Sequence, residues 1–148
     1  MRIALASDHA GFALKRELAV WLGELGYDVT DLGTNGTESV DYPDFGAKLA
    51  NAVATGAAER GVAVCGSGIG ISIAVNRNPK CRCARVDEPV SAALAREHND
   101  ANVIALGSRL IGPDMAKACV LAFLGTDFAG GRHQRRVDQL STLLEESD

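Results

Sequence analysis

The chain has 148 residues, of which 47% are hydrophobic and 23% are charged, as expected for one globular domain with a single core. Its formal net charge of −4 disfavours nucleic acids and membrane surfaces as partners, so a bound anion must be held by a local group of cations. No apolar run is long enough to span a bilayer, and the N-terminus lacks the pattern of a secretory signal peptide.

The cysteines indicate a reducing environment. Cys65, Cys81, Cys83 and Cys119 form no C-x-x-C pair, and two of them lie in apolar strand or helix patterns. Disulfide frameworks and zinc sites use characteristic cysteine spacings, so neither is predicted. We expect a cytoplasmic protein without a metal ion.

Short apolar segments alternate with amphipathic patterns along the chain. Strands are predicted at residues 2–7, 27–32, 61–65, 81–86 and 102–106. Helices are predicted at residues 12–25, from 45 onwards, 69–77, 89–98, 113–124 and about 134–145. Asp44 is the expected N-cap of the second helix. The last helix is expected to bury Val137, Leu140, Leu143 and Leu144.

This alternation predicts an α/β fold, a single-domain Rossmann-like three-layer α/β/α sandwich with a five-stranded parallel sheet. We expect one domain over residues 1–148, with a C-terminal helix (about 131–146) that carries an arginine cluster. The pattern does not predict the strand order. Ligands of such sheets bind beyond the carboxyl ends of the strands. Polar or reactive residues follow four strands, at 8–9, 65–67, 87–88 and 108–109.

Residues 62–77 are predicted to form a buried strand, a glycine-rich turn and the start of a helix. The glycines let the backbone approach a ligand closely, and the first amides of the helix point back at the turn. Cys65 ends the strand. Free cysteines are often inert core residues, but a helix N-terminus favours the reactive thiolate. We favour a reactive role, and position alone does not choose between a nucleophile and a general base.

The glycine-rich turn resembles a dinucleotide-binding fingerprint only in part. Asp87 lies about twenty residues further on, as that motif requires. The third glycine of the motif is missing, because Ile71 and Ile73 occupy its two alternative positions. The Lys-Ser/Thr pair of a P-loop is also missing. Dinucleotide binding is therefore disfavoured.

Histidines and arginines elsewhere have two interpretations each. His9 is either a solvated loop residue or part of the same sheet edge as Cys65. His98 is either a cationic cap at a helix end or a catalytic group. Arg132 and Arg136 share one helix face, either as a solvated stripe or as a clamp for phosphate or carboxylate.

Five segments together resemble a known family. They are residues 7–11, 41–44, 65–72, 96–102 and 130–133. These segments closely resemble ribose-5-phosphate isomerase B, in a metal-free family that also holds galactose-6-phosphate and allose-6-phosphate isomerases. The resemblance runs from residue 1 to about 144.

The resemblance implies an aldose–ketose isomerase of the non-oxidative pentose phosphate pathway. It implies that ribose 5-phosphate and ribulose 5-phosphate are interconverted without a cofactor, by moving a proton between C2 and C1 through a cis-enediolate. The partner is then a small phosphorylated sugar. The family also implies a homodimer with shared active sites, or a dimer of dimers.

The resemblance also implies the roles of individual residues. Cys65 would be the general base, and Ser67 would hold a hydroxyl near C1. His98, helped by Asp8, would open the furanose ring. Amides from Gly66 to Gly70 would stabilise the enediolate, and the predicted binding residues are His9, Tyr42, Gly66, Gly68, Ile69, Gly70, Asn99, Arg109, Arg132 and Arg136.

Departures from the family pattern leave the sugar open. The chain has the cysteine at position 65 and not the alternative glutamate at position 71. Arg85 lies where the family usually has an apolar residue, and it either alters the floor of the sugar pocket or pairs with Asp87. A hexose-6-phosphate or rare-sugar isomerase is the nearest alternative. A non-catalytic sugar-phosphate-binding module and a cysteine hydrolase are alternatives from other classes.

Overall fold

The core of the fold is a sheet of five parallel strands. The computed structural model describes residues 1–143. Its strands are β1 (Arg2–Ser7), β2 (Asp28–Asp31), β3 (Arg60–Cys65), β4 (Cys83–Arg85) and β5 (Val103–Gly107). All neighbours are parallel, in the order β2-β1-β3-β5-β4. The predicted five-stranded parallel sheet is therefore confirmed.

Helices cover both faces of this sheet. They are α1 (Phe12–Glu24), α2 (Tyr42–Ala54), α3 (Ile69–Asn76), α4 (Pro89–Asn99), α5 (Pro113–Gly125) and α6 (Arg132–Thr142). The core between α1, α4, α5 and the sheet is separate from the core beneath α2 and α3. The last helix, α6, packs on α4. The three-layer arrangement is the one expected from the sequence.

The two faces of the sheet differ in side-chain size. Alternation along each strand turns Ile3 and Leu5 towards α1, and Ala4 and Ala6 towards α2. The small side chains bring α2 and α3 close to the sheet and to each other. At Gly46, an added Cβ would lie 2.7 Å from the Cβ of Ala74. The same alternation turns Cys65 towards α2 and α3.

Several predicted boundaries shift in the structure. The second helix begins at Tyr42 with Asp41 as its N-cap, so the predicted cap at Asp44 is wrong. Pro43 explains the early start, because its fixed φ suits the first helical turn. The fourth strand is shorter than predicted, with three residues at the edge of the sheet. Helix α6 starts at Arg132 instead of residue 134.

The predicted burial of α6 is only partly correct. Val137 is buried at 6% exposure, whereas Leu140 is 49% exposed and Leu143 is 62% exposed. In a single chain α6 packs on α4 and buries its own Val137, whereas the two leucines stay at the surface. Leu144 lies outside the described residues.

The strand order creates a crevice at the carboxyl edge of the sheet. From the central pair β1 and β3, the chain moves outward through α1 to β2 in one direction, and through α3 to β4 in the other. Such a switch point opens a crevice between the two central strands, where ligands of open α/β sheets bind. No helix within residues 1–143 is long and apolar enough to cross a membrane.

An ion pair with one fully buried partner holds the loop that borders this edge. Lys15 of α1 is completely buried, and its Nζ lies 2.6 and 2.8 Å from the carboxylate oxygens of Asp31. It also donates to the carbonyl of Thr34 at 2.8 Å, while the Gly33 amide donates to Asp31 at 2.9 Å. The pair therefore fixes the turn after β2.

Removing the carboxylate should destabilise the protein more than removing the lysine. Asp31→Asn leaves a buried ammonium unpaired, and we expect a loss of about 3 kcal/mol in the free energy of unfolding. Lys15→Met should cost less, because the carboxylate of Asp31 is 35% exposed and can be hydrated. Urea titration measures both changes.

The matched control is Arg16→Met, an exposed position on the same helix. Its effect should stay within about 0.5 kcal/mol. If Asp31→Asn proves as mild as this control, the ion pair does not stabilise the fold.

Candidate active site

The turn after β3 lies directly on the end of β5. The Ser108 amide donates to the Cys65 carbonyl at 2.9 Å, and the Arg109 amide donates to the Gly66 carbonyl at 3.0 Å. Gly68, the N-cap of α3, has a φ of +76°, and a Cβ there would come within 2.9 Å of the β5 backbone. Only glycine combines this conformation with this close approach.

Cys65 lies at the centre of the turn. It is 4% exposed, and its Sγ accepts a hydrogen bond from the Gly68 amide at 3.1 Å. The N-terminus of α3 points at the same place, so backbone amides surround the sulfur. The thiol thus has the surroundings of a reactive cysteine rather than those of an inert core residue.

The amides of the turn are not all open to a ligand. The Gly68 amide is bonded to Cys65, and the Ile69 amide donates to the Oγ of Ser67 at 3.2 Å. Of the amides predicted to bind an oxyanion, these two have acceptors on the turn itself. The first helical turn leaves amides such as that of Gly70 without intrahelical partners.

Residues from two neighbouring loops reach the same sheet edge. Asp8 is 8% exposed and accepts the Gly11 amide at 3.0 Å, which organises the loop after β1. The amide and the carbonyl of Val40 lie 3.1 and 3.2 Å from Nδ1 of His9. One of these two groups can bond Nδ1 in either protonation state of the ring, which leaves Nε2 for a ligand.

Two further side chains lie against the glycines of the turn. A Cβ on Gly70 would lie 2.7 Å from the ring of Tyr42, so this ring rests on the start of α3. A Cβ on Gly66 would lie 3.0 Å from Nη1 of Arg109, so the guanidinium lies beside the turn. Asp8, His9, Tyr42, the 65–70 turn and Arg109 therefore form one half of the predicted site.

A second cluster lies at the other end of the molecule. His98 and Asn99 end α4, and the His98 ring stacks on His133 with centroids 4.4 Å apart. Arg132 and Arg136 extend from the first turns of α6 and are exposed. The remaining members of the predicted site are thus His98, Asn99, Arg132 and Arg136. His133, which is not among the predicted site residues, also belongs to this cluster.

Ion pairs hold the end of α4 in place. Arg96 is 3% exposed, and its Nη1 lies 2.7 Å from the carboxylate of Asp100 and donates to the Ala101 carbonyl at 2.8 Å. Arg82 approaches the same carboxylate at 3.3 Å and donates to the Asn99 carbonyl. Several residues of the 96–102 segment thus form the contacts that hold the backbone at the end of α4. In this way they position His98.

The local charges also affect the histidine stack. Desolvation lowers the pKa of His133, and the nearby charges of His98, Arg132 and Arg136 lower it further, whereas Glu97 raises it. The neutral ring of His133 is therefore favoured near neutral pH.

One chain does not bring the two clusters together. Cys65 pairs with Gly107 at the carboxyl end of β5, whereas His98 and Asn99 precede the start of β5 at Val103. A strand rises about 3.3 Å per residue, so roughly 13 Å of strand separate the two ends. Asp8 and His98 of one chain therefore lie apart, and the assistance of His98 by Asp8 stays a prediction for a site shared between two subunits.

A cavity lies beside the loop that carries His9. A cavity of about 610 Å³ is lined by the loop from Leu32 to Val40 with Phe45 and Lys48, beside His9 but without Cys65. Within residues 1–143, no group of three or more His, Cys, Asp and Glu side chains is arranged to hold a metal ion.

Known proteins share both the sequence pattern and the fold of this chain. Residues 3–140 match the model of a family described as Ribose/Galactose Isomerase. The chain belongs to this family. The ribose/galactose isomerase resemblance seen in the five sequence segments is thereby confirmed.

Individual members of the ribose/galactose isomerase family match over 93–100% of their own length. Ribose-5-phosphate isomerase B of Escherichia coli (strain K12) is 46% identical, with 96% of this chain and 95% of the relative covered. The D-erythrulose-4-phosphate isomerase of Pectobacterium atrosepticum is 38% identical, covering 95% and 93%. The solved structure of Clostridium thermocellum ribose-5-phosphate isomerase B has a TM-score of 0.98 at 48% identity, covering 100% of both chains.

Alanine substitutions at two glycines of the turn should have different effects on stability. Gly68→Ala forces a side chain into a positive φ and against the β5 backbone, and we expect a loss of about 1–3 kcal/mol in the free energy of unfolding. In Gly70→Ala the atoms nearest to the new Cβ belong to the ring of Tyr42, which is 41% exposed and can rotate away. Its stability should change by less than about 1 kcal/mol, because alanine favours the helix.

Thermal and urea unfolding of the two variants, made in parallel, checks this contrast. Equal losses for both glycines would show that the positive φ and the backbone contact at Gly68 do not control the turn.

Proposed function

We propose that this protein interconverts ribose 5-phosphate and ribulose 5-phosphate in pentose phosphate metabolism. The main support is a cysteine at the switch point of the sheet. Its Sγ accepts a hydrogen bond from a backbone amide at a helix N-terminus. Family membership and relatives named ribose-5-phosphate isomerase B support the same reaction. The free cysteines suit a reducing compartment, and we propose the cytoplasm.

The reaction follows from the groups around Cys65. The thiolate removes the proton from C2 of the open-chain aldose, and the electron pair moves to the carbonyl oxygen at C1. This step forms a cis-enediolate. Amides of the turn, with that of Gly70 free at the first helical turn, stabilise its negative charge. A proton then moves from the C2 hydroxyl to the C1 oxygen of the enediolate, and the thiol returns its proton to C1. The C2 carbonyl of the ketose forms, while Ser67 holds the oxygen at C1.

The second cluster supplies the groups that bind the phosphate and the group that opens the furanose ring. Arg132 and Arg136 are exposed guanidinium groups on one helix face, which suits the recognition of a phosphate. His9 offers Nε2 to the same phosphate, and His98 moves the protons that open the furanose ring. Asn99 and Tyr42 line the sugar.

A second copy of this chain brings the two clusters together. Ile69, Ile73 and Asn76 form one stripe on α3, and both isoleucines are about half exposed. A cleft lined by Asn76, Asn99 and Leu140 continues this stripe to the other end of the molecule.

The stripe and the cleft fit a two-fold interface. In such a contact the same patch meets itself, so the Cys65 end of one copy faces the His98 end of the other. The exposed Leu140 of α6 would be covered there. We therefore propose a homodimer with two shared active sites, which leaves open further pairing into a dimer of dimers.

A shorter sugar phosphate is the second candidate substrate. The relative from Pectobacterium atrosepticum is named for D-erythrulose 4-phosphate. Hexose 6-phosphates remain the longer alternative within the family. All three classes of sugar carry a phosphate and undergo the aldose–ketose step. They differ in the number of carbon atoms between the reacting carbons and the phosphate.

A substrate panel tests the reaction and the sugar. We expect turnover of ribose 5-phosphate with the highest kcat/KM among ribose 5-phosphate, a tetrose 4-phosphate, allose 6-phosphate and free ribose. Cys65→Ala should lower kcat about 10²–10⁴-fold, because the general base is lost. In D₂O the wild type should introduce deuterium at C2.

The matched control for this substitution is Cys119→Ala, a buried cysteine of α5 outside the site. It should retain normal kcat. Normal turnover by Cys65→Ala would remove this residue as the base, and a higher kcat/KM for the tetrose phosphate would assign the protein to that substrate.

Mixing two inactive variants tests the shared site. Cys65→Ala and His98→Gln each remove one half of both sites in their own homodimer. A mixed dimer restores one intact site, so equal mixing after unfolding and refolding should recover roughly a quarter of wild-type activity.

Mixing of Cys65→Ala with a Cys65→Ala, His98→Gln double variant is the control, and it should recover nothing. If the two single variants also fail to recover activity while both form dimers, the two clusters do not meet in one site.

A further inference from the structure

The peptide group between Ser67 and Gly68 is bonded on both sides. Its carbonyl accepts a hydrogen bond from Nε of Arg85 at 2.8 Å, and its N–H donates to Sγ of Cys65 at 3.1 Å. In a planar trans peptide the C=O and N–H bonds point in opposite directions. Whatever holds the carbonyl therefore also sets the direction of the N–H.

Arg85 also pairs with a carboxylate. It is the last residue of β4, and its Nη1 lies 2.8 Å from the carboxylate of Asp87. Its side chain is 25% exposed, whereas that of Asp87 is 49% exposed. One guanidinium group thus bonds the carboxylate and the peptide carbonyl through different nitrogens, a geometry that lysine cannot reproduce.

We propose that Arg85 is a positioning residue that acts on Cys65 through the Ser67–Gly68 peptide. This inference rests on the proposed role of Cys65 as the general base. The cation draws electron density towards the carbonyl, which makes the Gly68 amide a stronger donor to the thiolate. Arg85 also prevents the peptide from rotating, so the donor remains aimed at the sulfur.

Other charged or titratable groups surround the same strand end. They are Asp8 after β1, His9 in the following loop, Tyr42 at the start of α2 and Arg109 after β5. Within residues 1–143, none of these side chains bonds to the Ser67–Gly68 peptide. The effect assigned to Arg85 is therefore separable from theirs by substitution.

The thiolate of Cys65 can be measured without turnover. The rate of alkylation by iodoacetamide follows the thiolate fraction, and mass spectrometry identifies the modified peptide. Burial raises the pKa of Cys81 and Cys83, and raises that of Cys119 to about 11. These three thiols should therefore react slowly between pH 6 and 9 and leave Cys65 as the main target.

Arg85→Met should shift the pH midpoint of Cys65 alkylation upward by about one unit, since the thiolate loses part of its stabilisation. The kcat for ribose 5-phosphate at pH 7 should fall about tenfold and recover at higher pH, with KM little changed. Arg85→Lys should shift the midpoint nearly as far, because it keeps the charge but loses the two-sided geometry. Asp87→Asn should give a smaller shift in the same direction.

Arg77→Met is the control, an exposed arginine just after α3. It should keep the wild-type midpoint. An unshifted midpoint for a folded Arg85→Met, or a loss of kcat that is equal at every pH, would overturn the proposal. If Arg85→Met does not fold, the Arg85→Lys and Asp87→Asn midpoints decide it in the same way.

Different results would reject the positioning role of Arg85 and the proposed isomerase activity. A shifted midpoint in a protein that does not isomerise ribose 5-phosphate supports the positioning role and rejects that function. Normal isomerisation with an unshifted midpoint retains the function and rejects the role of Arg85.

Discussion

The contact between the 65–68 turn and the end of β5 is the constraint on which the site depends. Amides of the β5–α5 loop bond the carbonyls of Cys65 and Gly66, and Gly68 packs on the strand backbone. Gly107 has to lack a side chain too, since its Cβ would lie 2.7 Å from the Ser67 carbonyl oxygen. This contact aims the Gly68 amide at the sulfur and the start of α3 at the crevice.

The length of the sheet then separates the chemistry into two halves. Helices antiparallel to the strands return the chain to the opposite edge, so the end of α4 carries His98 away from Cys65. Packing of α6 on α4 adds the arginines to the distant half. The proposed base, Cys65, thus lies in one half, and the two arginines proposed to clamp the phosphate lie in the other. The proposed isomerase activity therefore requires the proposed dimer.

Much of the fold was predictable because buried strands and amphipathic helices have clear periodicity. The errors fall where neighbouring segments override the local pattern. The start of α2 depends on Pro43 and not on the expected cap, and β4 is short at the sheet edge. Leu140 has a helical apolar spacing, but spacing does not tell whether a residue faces the core of its own chain or the surface of another.

The sequence by itself determined the local chemistry: a cysteine at the end of an apolar strand, glycines beside it, and a helix that follows. These features depend on adjacent residues and their backbone preferences. Only the tertiary structure decided that Arg85 bonds the Ser67 carbonyl and that His98 stacks on His133, far from Cys65. Such contacts join residues remote in sequence, and they depend on strand order and helix packing, which local periodicity does not encode.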